Sequence, residues 1–113
     1  MTYKKRSRQG VNIVHLMGYI TGKPTLTATE NNQVLRFRIN TPRFVVSQKK
    51  IVDDINTVCV WGRKGERLYK LLGHKSHIYV QGKLRTSQYD DKRQQTTYVQ
   101  ADEVVFLGPK PKD

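Results

Sequence analysis

Between Val34 and Asn40 the chain alternates without interruption: Leu35, Phe37 and Ile39 fall on one side, Arg36, Arg38 and Asn40 on the other. Alternation with a period of two marks a half-buried strand, and here it pairs a core face with a cationic face. Ser76 to Ser87 repeats the pattern, with Ile78, Val80, Gly82 and Leu84 inward and Tyr79, Gln81, Lys83 and Arg85 outward. Val11 to Ile20 is rich in β-branched and apolar residues and lacks a helical period. Gly18 interrupts it, as glycine does at a bulge or a sharp bend. Thr21-Gly22-Lys23-Pro24 reads as a turn, Thr25 to Thr29 as a short strand, and Glu30 to Gln33 as a second turn. Ile55 to Trp61 and Gln95 to Phe106 are further strands, and Tyr89 to Lys92 is a turn centred on Asp90-Asp91. Thr41 to Asp54 reads as a long loop or a flexible hairpin, carrying Pro42, Arg43, Phe44, Lys49 and Lys50. Lys64 to Leu72 has helical spacing: Leu68, Leu71 and Leu72 share a face, and Gly73 follows as a stop.

The longer strands therefore run three, then a helix, then two. That order predicts an all-β OB-fold, a five-stranded, partly open Greek-key barrel with one short helix between strands 3 and 4. An SH3-like barrel would not place a helix there. The 113 residues suffice for one domain. We expect a basic arm over 1–10, the barrel over 11–108 and a short tail over 109–113. Hydrophobic residues make up 36%, below the roughly 45–50% of a globular domain, which fits solvated arms and loops.

Charge adds the nature of the partner. Twenty-one Lys and Arg against nine Asp and Glu leave +12, an excess that calls for a polyanion. A membrane surface would need a basic amphipathic helix or a lipid anchor, and the sequence has neither. No apolar run approaches the length of a bilayer span, so nucleic acid is the expected partner. The single cysteine, Cys59, sits in Val58-Cys59-Val60 and reads as a buried structural thiol. With no internal disulfide possible, a reducing compartment is expected: the cytoplasm with its nucleoid, or as the alternative the mitochondrial matrix. Met1 to Arg8 is basic with no apolar segment behind it, unlike a secretory signal.

Catalytic chemistry is not in view. His15, His74 and His77 show no zinc-ligand spacing with Cys59. Asp53-Asp54 and Asp90-Asp91 are sequence neighbours, which point apart on an extended chain and do not face each other as an acid and a base. Gly62-Arg63-Lys64-Gly65 is too short for a phosphate-cradling loop and lacks its Lys-Ser/Thr ending. We expect no catalytic residue, no metal and no cofactor.

What the sequence does carry is an interleaving of aromatics and cations. Arg36 and Arg38 precede Arg43-Phe44, Trp61 precedes Arg63 and Lys64, and Lys83 and Arg85 precede Tyr89. Binding a single strand without base preference needs a cationic groove along the phosphates and exposed aromatic faces for the bases. Phe44, Trp61 and Tyr89 are the expected stacking residues. Arg36, Arg38, Arg43, Arg63, Lys64, Lys83 and Arg85 are the expected phosphate contacts. Trp61 has a competing reading as core, and Arg36 and Arg38 as a merely solvated sheet face.

Several stretches resemble the bacterial-type single-stranded DNA-binding proteins. Gln9-Gly10-Val11-Asn12 followed by Leu16-Met17-Gly18 is similar to that family's opening strand, with Pro24 after the first turn. Val60-Trp61-Gly62-Arg63, with Glu66 beyond, resembles the stretch leading into its helix, and Ser76 to Arg85 resembles its strand four, continued by Thr86 to Tyr89. The resemblance covers residues 9 to 108. It implies an OB-fold that stacks single-stranded DNA on a few aromatics in replication, recombination or repair. It also implies a homotetramer, with a dimer as the lesser possibility. The family's stacking aromatics fall on Phe44, Trp61 and Tyr89. A fourth, near the start of strand three, falls on Ile55, which removes one platform. The turn glycine before strand four is replaced in His74-Lys75-Ser76. Bacterial members continue into an acidic tip that recruits other proteins, whereas the residues after Gly108 here include Lys110 and Lys112; the expectation is either a sequence cut short of that tip or a member that binds DNA without recruiting through one. The alternatives are a tail-less relative like primosomal replication protein N and a structural RNA-binding protein.

Overall fold

A computed structural model describes residues 10–87 and 96–109. The predicted arm and tail fall largely outside them, as do Tyr89 and the turn around Asp90-Asp91. Five strands and one helix follow in the order β1 (Val14–Ala28), β2 (Gln33–Val45), β3 (Lys50–Trp61), α1 (Arg63–Leu71), β4 (His77–Thr86) and β5 (Thr97–Gly108). The strands close a barrel in the order β1-β2-β3-β5-β4. All neighbours are antiparallel except β3 and β5, which run parallel through the short register Val58↔Val99 and Cys59↔Gln100. This is the OB-type barrel that the element order predicts.

The core is filled by inward residues of the alternations, but Leu84, expected inward at the end of β4, is 46% exposed because the strand runs on past the core there. Ile20, Leu35, Phe37, Ile39, Val58, Val60, Leu72, Ile78, Val80 and Val99 form one buried cluster. Burying such side chains stabilises the fold by ~1.5–3 kcal/mol each. Before β1 begins, Asn12 ties the incoming chain to β4: its Nδ2 donates to the Leu84 carbonyl at 2.7 Å, and the Leu84 amide donates to its Oδ1 at 2.8 Å.

Gly18 marks the bend in β1 that its position in the sequence implies. Up to Tyr19, β1 pairs with β4; from Tyr19 onward it pairs with β2. At the crossover the β2 backbone comes so close that a Cβ on Gly18 would lie 2.1 Å from the Asn40 carbonyl oxygen.

Of the turn, loop and helix readings, two need correction and one is decided between its alternatives. Thr21-Gly22-Lys23-Pro24 is not a turn between strands but a bulge inside β1. The register runs from Thr21↔Arg38 to Thr25↔Arg36, so Gly22, Lys23 and Pro24 stand opposite Phe37. The chemistry is that of a turn, with Gly22 at φ 83° and a proline that cannot donate to the ladder, but the chain pairs on both sides of it. Thr41 to Asp54 is the hairpin rather than the loop. Pairing continues from Thr41↔Asp54 to Val45↔Lys50 around a turn that ends at Lys49, with φ 52°. Finally, Leu71 does not share the core face with Leu68 and Leu72. It is 55% exposed while Leu72 is 7% exposed. The helix stops at Leu71, and Leu72 is already extended (φ −85°, ψ 144°), so its side chain leaves the helical spacing and turns into the barrel.

Candidate nucleic-acid interface

Outward residues of four strands line up across one face of the barrel. Arg36 pairs with Cys59, Cys59 with Gln100, and Gln100 with Lys83. In the neighbouring row Arg38 pairs with Thr57 and Tyr98 with Arg85. Thr57 and Tyr98 each precede a paired residue of the parallel β3–β5 contact, so they stand side by side. Each row thus has a cation from β2 at one end and a cation from β4 at the other, with uncharged side chains between. Arg85 Nε donates to Gln100 Oε1 at 3.3 Å, which ties it to the neighbouring row.

The middle of this face is hollow. A pocket of about 280 Å³ is lined by Arg36, Thr57, Cys59, Trp61, Tyr98 and the paired residues Ser87 and Thr96. A second hollow of about 210 Å³, with Lys23, Thr25 and Arg38 in its wall, adjoins the first through Arg36 and Thr57. Together they form a groove with cations along it and, among the described residues, no acidic residue in either lining. Trp61 is 42% exposed at the end of β3, so it is a rim residue and not core. Cys59 is only 4% exposed, but it lies on the outward row, between the core residues Val58 and Val60. Burial pushes its thiol up from the ordinary value; the adjacent Arg36 guanidinium pulls the other way.

The predicted site residues divide into groups. Arg36, Arg38 and Trp61 lie along the groove, with Lys83 and Arg85 at its β4 edge. Phe44 stands out on the β2–β3 hairpin, 60% exposed and paired with Ile51. Strand alternation puts Ile55 on the same side as Ile51, so the position lacking an aromatic is still an exposed apolar one. Arg43 falls on the opposite side of the hairpin from Phe44, where its Nε pairs with Asp54 Oδ2 at 2.7 Å. Arg63 borders a hollow beside the β1–β2 turn. Lys64 borders another between α1 and β5, where Lys64 and Arg67 face Asp102 and Glu103. The balanced charges there give no preference for a polyanion. Tyr89 lies outside the described residues.

Thr57, Tyr98 and Lys23 were not singled out from the sequence. Tyr98 was within reach: with Val99 inward, strand alternation puts Tyr98 and Gln100 outward. Lys23 was concealed because a bulge that carries it to the groove looks like a turn in the sequence.

A groove with cationic ends, an aromatic rim and a neutral floor suits an extended polyanion with exposed bases, and the comparisons with known proteins agree. Residues 11–107 match the profile of the single-strand binding protein family. Single-stranded DNA-binding protein A of Bacillus subtilis is 35% identical over 106 residues, 88% of this chain and 61% of that protein. Single-stranded DNA-binding protein 1 of Staphylococcus aureus is 32% identical over 108 residues, 91% of this chain and 69% of that protein. The mitochondrial single-stranded DNA-binding protein of Pongo abelii is 31% identical over 119 residues, 93% of this chain and 80% of that protein. The chain spans less than two thirds of the Bacillus subtilis relative. With the profile covering nearly all of the barrel, and the barrel built as the resemblance implied, the chain belongs to the single-strand binding protein family.

Proposed function

We propose that this chain binds and protects single-stranded DNA without base preference, in replication, recombination or repair, and acts as a binder rather than an enzyme. Residues 11–108 are the binding unit. Trp61, Phe44 and Tyr89 offer their faces to bases, while Arg36, Arg38, Lys83 and Arg85 contact phosphates. Arg63, two residues beyond Trp61, is a further proposed phosphate contact, whereas Lys64, which shares its hollow with Asp102 and Glu103, is left out of the proposed set. The observation that carries the reading is the position of Trp61, exposed at the rim of a groove that Arg36 and Arg38 line. We further propose a homo-oligomer, with the tetramer as the expected form. Ile13, Met17, Val105 and Leu107 are exposed apolar residues of the β1 and β5 regions, a surface suited to a second copy. The proposed location is the cytoplasm and its nucleoid; the Pongo abelii relative supports a mitochondrial alternative.

The test is anisotropy of a labelled oligo-dT competed with unlabelled oligo-dT, duplex DNA and hairpin RNA. Displacement by oligo-dT at far lower concentration than by the other two is the expected result. Equal displacement by hairpin RNA would transfer the reading to a structural RNA-binding role.

A further inference from the structure

We infer that the pocket between β3 and β5 is a subsite for one unpaired nucleobase, and that Tyr98 is a base-contacting residue there. This rests on the single-strand reading and adds a residue that the family resemblance, with Phe44, Trp61 and Tyr89, does not assign.

Four observations carry it. The pocket, at about 280 Å³, has the β2 cation Arg36 in its wall and, on its other side, Tyr98 of β5, whose partner on β4 is Arg85, so a strand whose phosphates meet these cations brings its bases to the pocket. Two aromatics from different strands, Trp61 and Tyr98, line it, and an aromatic ring is the surface on which any base stacks. The rest of the lining is Arg36, the neutral thiol of Cys59 and short hydroxyl side chains such as Thr57; none repels a base or a phosphate, and the hydroxyls can donate or accept. Lastly, Ile55 leaves β3 without an aromatic where the resemblance expects one, and Tyr98 supplies one from β5 on the same face. A base still paired in a duplex has its edge occupied by its partner and cannot enter, so the subsite also favours single strands over duplexes.

Tyr98 could instead serve only to cover Cys59. Two measurements separate these roles. Tyr98→Ala should weaken oligo-dT binding by about 5- to 150-fold, the range of one lost stack, while Tyr98→Phe should stay within about twofold. In the unmodified protein, photocrosslinking to an oligo-dT that carries 5-iododeoxyuridine, which couples to an aromatic ring lying against the halogenated base, reports occupancy directly. Irradiation should place an adduct on Tyr98, located by peptide mass mapping, with the single strand but not with a duplex carrying the same base. If Tyr98→Ala fails to fold, the crosslinking measurement alone decides. Unchanged affinity of a folded Tyr98→Ala overturns the subsite while leaving the single-strand reading intact, and so do crosslinks that never map to Tyr98 in a chain that binds oligo-dT. Absence of any oligo-dT binding by the unmodified chain overturns the single-strand reading itself.

Discussion

Arg38 and Arg43 look alike in the sequence, as cations on one stretch rich in arginine, but the structure separates them. Arg38 lies on the groove, opposite Thr57, and among the described residues no acidic one lines the hollow beside it. Arg43 has turned to the other side of the hairpin and is engaged by Asp54. Arg38→Ala should therefore reduce the salt slope of single-strand binding by ~0.7, the loss of one phosphate contact, whereas Arg43→Ala should leave it nearly unchanged. Affinity measured across a series of salt concentrations tests both. Phe44→Ala should behave in the opposite way to Arg38→Ala, losing ~1–3 kcal/mol of affinity with little change in slope. Reduced affinity together with a shallower slope would mean that Phe44 positions a cation rather than a base. What could be read at this scale was residue type and, within regular strands, the side each residue faces. What could not be read was pairing: nothing local distinguishes an arginine with a carboxylate across the hairpin from one without. Leu71 and Leu72 failed similarly, because one extended residue at the end of α1 exchanges which leucine enters the core.

At the scale of elements, the period of two was enough to find the longer strands, and the helical spacing with its glycine stop to find the helix between β3 and β4. It was least informative where neither face is buried. The β2–β3 hairpin beyond Asn40 has no core face, so its alternation of Phe44, Ile51 and Ile55 with polar residues carried no burial signal. The bulge in β1 is another such place, since glycine with positive φ and proline are the residues of both turns and bulges. Close approach between elements leaves a sharper mark. A Cβ on Gly82 of β4 would lie 2.1 Å from the Gln100 carbonyl oxygen of β5, whereas one on Gly73 would meet nothing within 4 Å. Gly82→Ala should cost about 3 kcal/mol or more, at or above the upper end of ordinary overpacking, and Gly73→Ala should stay within about 0.5 kcal/mol. Urea unfolding of the two variants measures the contrast. Equal stability would show that β4 and β5 can separate at this point without cost.

Taken as a whole, the molecule combines a net charge of +12 with a barrel that gathers part of that charge along one groove. Net charge alone implies a polyanion and a strong dependence on salt. It cannot distinguish single-stranded DNA from duplex or from RNA, because phosphates are common to all three. The distinction rests on aromatic faces beside the cations. Trp61 is the single tryptophan of the chain and stands at the rim of that groove, so its fluorescence reads binding and location together. Titration with oligo-dT and with duplex DNA at one salt concentration is thus the most direct measurement. Strong quenching by oligo-dT, with little response to duplex at the same concentration, is the expected result. An equal response to both, or single-strand binding that leaves Trp61 unquenched, would contradict the account.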